Sequence, residues 1–147
     1  MKKYMAMLLL LLSPALAAED LLMVRSQLSF PEAMTVLQQT IRESGYRVSR
    51  VQRIDIGLTR SGYKTDKYRV VFFGELEEIR KLSNQYPELI AYLPLKIAIF
   101  AENDETILLS SSFKHLRPFY SGADMLTNFD RWESDLQRIL EQVRTAE

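Results

Sequence analysis

The chain has no cysteine, and this absence removes several options together. No disulfide can brace the fold, and attachment to a lipid through an acylated cysteine is impossible. Histidine is nearly missing as well, since His115 stands alone. Zinc and copper sites are built from clusters of His and Cys, so a transition-metal centre has no ligands to draw on. Charge of one sign is not in excess, with 19 basic against 19 acidic residues. Nucleic-acid binders are usually clearly basic, and a nucleic-acid partner is therefore not expected. No Gly-x-Ser-x-Gly elbow is present to hold a serine nucleophile on a strained turn. No loop carries the alternating oxygen ligands and central glycine of a calcium-binding EF-hand. Internal repeats and low-complexity linkers are absent too. No cofactor is implied.

The N-terminus holds the longest apolar run, and it is short. Lys2 and Lys3 precede Met5 to Leu12, and Ala15-Leu16-Ala17 comes after them as a small-x-small site. These are the three parts of a secretory signal. A membrane span needs about 20 apolar residues, and this run stops at Ser13-Pro14. Residues 1–17 are expected to be cleaved after Ala17, which places the protein in the periplasm or outside the cell. Cleavage takes away Lys2 and Lys3 and no acid, so the 19 basic residues become 17 against 19 acidic. Residues 18–147 then form a single domain, long enough to bury an ordinary hydrophobic core, with no transmembrane segment.

Within that domain the periodicities alternate. Leu21 to Leu28 reads as a strand. Ser29-Phe30-Pro31-Glu32 is a helix start with Ser29 as cap, and Phe30, Ala33, Met34, Leu37 and Ile41 recur at helical spacing until Gly45. Tyr46 to Ile56 reads as extended, with a slip in period that predicts a bulge near Ser49-Arg50. Gly57 to Asp66 is a polar connection. Lys67 to Phe73 is apolar enough for a strand buried on both faces. Leu76, Ile79, Leu82 and Tyr86 mark the inner stripe of a helix that Pro87 closes. Leu95 to Phe100 pairs with Thr106 to Leu109 through the turn Glu102 to Glu105. A last helix is predicted over about 128–144, capped by Thr127 with Asp130 and lined by Leu126, Phe129, Trp132, Leu136, Ile139, Leu140 and Val143. The order β-α-β-β-α-β-β-α predicts an α+β two-layer sandwich, a mostly antiparallel sheet with helices packed on it.

Several short stretches carry a resemblance: Gly57-Leu58-Thr59, Gly62-Tyr63, Tyr68-Arg69-Val70-Val71-Phe72-Phe73-Gly74 and Leu93-Pro94-Leu95-Lys96-Ile97. Together they resemble the family known as domain of unknown function 302, over about residues 21–120. The resemblance implies a compact α+β sandwich able to form a homodimer, and it implies no activity. Many members have His after an Ile-Asp pair, where this chain has Ile56 after Ile54-Asp55. Many have Asn-Pro where this chain has Glu75-Leu76, and some have Cys where it has Leu95. A metal or redox role resting on that His or Cys does not carry over.

Candidate chemistry is sparse. Ser110, Ser111 and Ser112 lie near His115, and a Ser–His pair can activate a hydroxyl, but a polar strand end with a surface histidine after it is the better explanation. Glu75, Glu77 and Glu78 form the densest carboxylate cluster, and the helix dipole accounts for acids at a helix start. No catalytic residue is assigned. Charge distribution says more. Arg42 to Val70 holds eight basic residues against three acidic, and Val71 to Ser110 holds three basic against seven acidic. The first segment is read either as a basic patch for an anionic ligand or as a solvated strand face balanced by acidic neighbours. On the first reading Tyr63, Lys64, Lys67 and Arg69 bind the ligand. Two functions are compatible with these features. One is a non-enzymatic exported binding or assembly module of the bacterial envelope, engaging an anionic envelope ligand or a protein partner. The other is an envelope hydrolase working through carboxylates, for which a deep polar cleft holding Asp55 with a charged neighbour would be the sign and a flat or fully packed surface there would count against it.

Overall fold

The computed structural model describes residues 21–147, so the expected signal segment and its cleavage site lie outside the described residues. The fold is mixed α+β, as the alternating periodicities predict. Five strands, β1 (Leu21–Ser26), β2 (Arg47–Arg53), β3 (Tyr68–Gly74), β4 (Leu95–Glu102) and β5 (Glu105–Ser111), form one sheet in the order β1-β5-β4-β3-β2. Every neighbouring pair is antiparallel. Among the described residues the α-helices are α1 (Phe30–Glu43), α2 (Ile54–Arg60), α3 (Leu76–Gln85) and α4 (Ala123–Thr145). Short 3-10 helices cover Pro87–Ala91 and Lys114–Phe119.

Helix α1 begins where its residues require. The Glu32 carboxylate accepts hydrogen bonds from the Ser29 backbone N–H at 3.0 Å and the Ser29 hydroxyl at 2.6 Å, and Pro31 fills a first-turn position that needs no donor. Gly45 ends the helix at φ +85, with its N–H on the Arg42 carbonyl and that of Tyr46 on the Ile41 carbonyl. That left-handed turn is open to glycine at no steric cost. Leu37 and Ile41 of α1 and Leu136, Ile139, Leu140 and Val143 of α4 are buried. They pack against Val71, Phe73, Leu95, Ile97, Ile99 and Leu108 of the sheet. Phe113, Phe129 and Trp132 extend this core with ring centroids 5.2 to 6.0 Å apart. The buried Ser26 hydroxyl donates to the Val143 carbonyl at 3.1 Å, tying β1 to α4.

The expected bulge is present: the β2–β3 register shifts between Val48 and Arg50. Other expectations need correction. Ile54 and Ile56 leave the extended region and enter α2, so a short helix stands where the sequence suggests strand and connection. The last helix starts at Ala123, behind Gly122, so Thr127 and Asp130 sit inside it and cap nothing. Leu76 is 57% exposed instead of facing inward, because Glu75 is the N-cap and accepts from the Glu77 and Glu78 N–H groups. Strand β3 is not buried on both faces. Val71 and Phe73 enter the core, while Tyr68, Val70 and Phe72 stay half-buried on the side away from α1 and α4.

Among the described residues no helix crosses that second side of the sheet, and its rows mix apolar with polar residues. Side chains alternate along a strand, and the register places Gln52, Val70, Ala98, Leu109 and Met23 in one row across it. Tyr68, Phe100, Ile107 and Arg25 form the next row. Leu21 and Met23 are 55% and 58% exposed. Among the described residues no helix is long and apolar enough to cross a membrane.

Candidate functional site

Helix α2 and the connection after it build a hollow at the β2–β3 end of the sheet. Its volume is about 480 Å³, and Asp55, Thr59, Arg60, Thr65, Asp66 and Lys67 line it. It is wide open to solvent. Gly62, at φ +86, reverses the chain at the end of α2, and the Ser61, Gly62 and Tyr63 N–H groups close that turn on Gly57, Leu58 and Thr59 carbonyls. The chain rejoins the sheet at Lys67, whose carbonyl accepts the Ala101 N–H at 3.0 Å.

Asp55, in the wall of the hollow, is held by an ion pair. Arg69 on β3 donates through Nη1 to Asp55 on α2 and, at 2.9 Å, to the Tyr68 carbonyl. The two side chains retain only 14% and 17% exposure. The Phe30 ring lies under both cations of the strand start, 5.7 Å from the Arg69 guanidinium and 5.9 Å from Lys67 Nζ. A cation over an aromatic face is attracted by the ring quadrupole, so Phe30 helps fix both side chains. The Arg69 hydrogen bond holds the Asp55 carboxyl below the ordinary aspartate range, with burial opposing it. Asp55 is thus an ionised, immobilised carboxylate.

Of the four residues expected to bind ligand, Lys67 alone lines this hollow, and Arg69 touches it only through its ion pair with Asp55. Tyr63 and Lys64 stand exposed on the connection beside it. The four lie at one end of the molecule, but Arg69 shares its charge with Asp55. Sequence reading could not supply that pairing, because the two residues belong to elements that meet only through the fold of α2. Between Arg53 and Arg69 the sequence has five basic residues against Asp55 and Asp66, so the locality stays cationic after the pair forms.

Two other clusters matter for chemistry. The Ser112 hydroxyl and Phe113 N–H donate to the Glu133 carboxylate at 3.0 and 2.9 Å, and the Ser110 hydroxyl donates to the Lys96 carbonyl at 2.8 Å. Those serines serve the backbone and α4. His115 makes a ring contact with Tyr92 at 6.1 Å. Tyr46, buried, donates to Asp135 at 2.5 Å and accepts from Arg131 at 3.1 Å; burial foremost, then Asp135, push its hydroxyl far above the ordinary tyrosine range. It is a structural donor. Among the described residues, no three side chains of His, Cys, Asp or Glu gather into a group that could hold a metal ion.

Known proteins share this arrangement of strands and helices. The family model described as Domain of unknown function DUF302 matches residues 22–143, which takes in most of α4 as well as the stretches that carry the sequence resemblance. The crystal structure of an uncharacterized conserved DUF302 protein from Bacillus stearothermophilus is similar to this chain with a TM-score of 0.75 at 16% identity. The likeness covers 86% of this chain and 100% of that one, and at that identity it speaks for the fold. No curated protein matches the sequence.

Proposed function

We propose, for a chain that belongs to the family described as domain of unknown function DUF302, that it is a non-enzymatic binding module exported to the bacterial envelope. Its ligand is an anionic, hydroxyl-bearing envelope component held at the α2 hollow. The observation that carries this reading is an open hollow in which Arg60 and Lys67 face Asp66 and an Asp55 already held by Arg69. Arg60, Lys64 and Lys67 supply positive charge around it, and the Thr59 and Thr65 hydroxyls offer hydrogen bonds. Tyr63, on the adjoining connection, is 65% exposed and offers a face for stacking.

Asp55 does line a polar hollow beside a charged neighbour, part of the sign set for a carboxylate hydrolase, but the hollow is open and not deep, and its chemistry argues against that reading. A general acid needs a carboxyl whose pKa is raised toward the working pH. Asp55 moves the other way, because Arg69 stabilises its charged form. A carboxylate locked to a guanidinium is also a weak base. The hollow excludes no water, so the environment that strengthens electrostatic catalysis is missing.

The experiment is titration of a purified disaccharide-peptide fragment of peptidoglycan into the mature protein by calorimetry. Binding is expected, and the Lys64→Glu/Lys67→Glu double variant should weaken it by about tenfold or more, since two charge-assisted contacts are reversed. Equal binding by the double variant, or none by either protein, would remove the hollow from consideration as the ligand site.

A further inference from the structure

The second side of the sheet has features that the α2 hollow does not explain. We propose that it is a binding groove for a free medium-chain fatty acid, with the acyl chain along β4 and the carboxylate at Lys96. Tyr68, Val70, Phe72, Ala98 and Leu109 line a hollow of about 290 Å³ there. Its shape reflects residue size. Ala98 sits between Val70 and Leu109 in the cross-strand row, while Phe72 and Phe100 stand in the rows to either side. A small residue flanked by large ones leaves a channel. From Lys96 to Phe100 the strand runs about 14 Å at the usual rise per residue, the length of an extended dodecyl chain.

Charge orients the occupant. At the far end Arg25 is spoken for by Glu102 and Glu105, each at 3.0 Å. At the near end Lys96 is exposed and has no ion-pair partner among the described residues. Lys96, Ser110 and Ser111 are shared walls between the apolar hollow and a second, smaller one of about 170 Å³. That second hollow adds Tyr92 and His115, and no carboxylate lines it. One apolar channel leading to one compact, acid-free, cationic pocket matches a single-chain amphiphile with a small anionic head. It does not match a two-chain lipid, which would need a second channel.

The test is titration of the mature protein with dodecanoate and, separately, dodecanol, both below their aggregation limits, read by calorimetry and by sedimentation. Dodecanoate is expected to bind at one per chain. Lys96→Gln, a surface change with no packing consequence, should weaken dodecanoate by about tenfold, the loss of one charge-assisted contact, and leave dodecanol within about twofold. Ala98→Leu should block both by filling the channel. Undiminished dodecanoate binding by Lys96→Gln would overturn the assignment. So would a stable dimer that dodecanoate neither binds nor dissociates, because a second copy would then own this face. Lys64 and Lys67 variants should leave dodecanoate binding unchanged, so failure here is separable from failure of the α2 hollow.

Discussion

Breaking the Asp55–Arg69 pair tests whether the Asp55 wall of the hollow is held by the interaction described. The perturbation is a double-mutant cycle of Asp55→Asn, Arg69→Met and the two combined. Arg69 also bonds the Tyr68 carbonyl and lies over Phe30, so its single substitution costs more than the pair is worth, and the cycle subtracts that excess. A hydrogen bond between charged groups contributes about 1.5–3 kcal/mol. Both side chains keep some exposure, 14% and 17%, and water screening brings the expected coupling below that range, to about 1–1.5 kcal/mol. Urea unfolding at pH 7, monitored by circular dichroism, measures it. Its pH dependence gives a second check. The folded carboxyl of Asp55 lies below the ordinary aspartate value of 3.8. The folded state therefore binds fewer protons than the unfolded state as pH falls through that region. The contribution is complete above that value and is lost as pH falls through the lower, folded one. Coupling should be flat from about pH 5 to 7 and shrink below about pH 4. A coupling near zero at pH 7, or one that grows on acidification, would refute the account of Asp55 as a fixed anion.

Core and backbone predictions are simpler. Trp132→Ala opens a void between Phe113 and Phe129 and should cost about 3–5 kcal/mol, read as a lower urea midpoint at unchanged slope; a loss under about 1 kcal/mol would mean the ring cluster is not the centre that its burial indicates. Gly45→Ala forces a Cβ into left-handed backbone at φ +85 and should destabilise by about 1 kcal/mol, with Gly57→Ala, at ordinary φ inside α2, neutral or stabilising in the same thermal melt.

How much of this was legible in the sequence depends on how each element is held. Helix α1, the β4–β5 hairpin and the C-terminal half of α4 are fixed by apolar residues at a clear period, and they suffice for the fold class. Helix α2 breaks that logic. Ile54 and Ile56 are β-branched and Gly57 is a poor helix former, so local preference points to strand; none of the residues of α2 is buried, and contacts with β3, the Asp55–Arg69 pair among them, hold it instead. The first turn of α4 offers Met125 as its one buried apolar residue before Phe129, too little period to reveal a beginning behind Gly122. In β3 the run Tyr68 to Phe73 is apolar at every position but Arg69, and apolarity alone cannot say whether a second layer exists to cover it. The site residues were visible as a local excess of cations. Their geometry was not, because Asp55 reaches Arg69 only after α2 folds back, and Lys96, Ser111 and His115 meet only across strands.

The sheet order carries a kinetic meaning. Strand β1 pairs with β5, so Leu21 must find Ser111 and Ser26 must find Thr106, and the same strand is anchored by α4 through Val143. Closing loops of that length is entropically slow and gives no reward until both ends are present. The β3–β4–β5 meander can assemble from near neighbours, whereas β1 has nothing to pair with until most of the described chain has been made. A chain built this way completes its sheet last at the N-terminal edge.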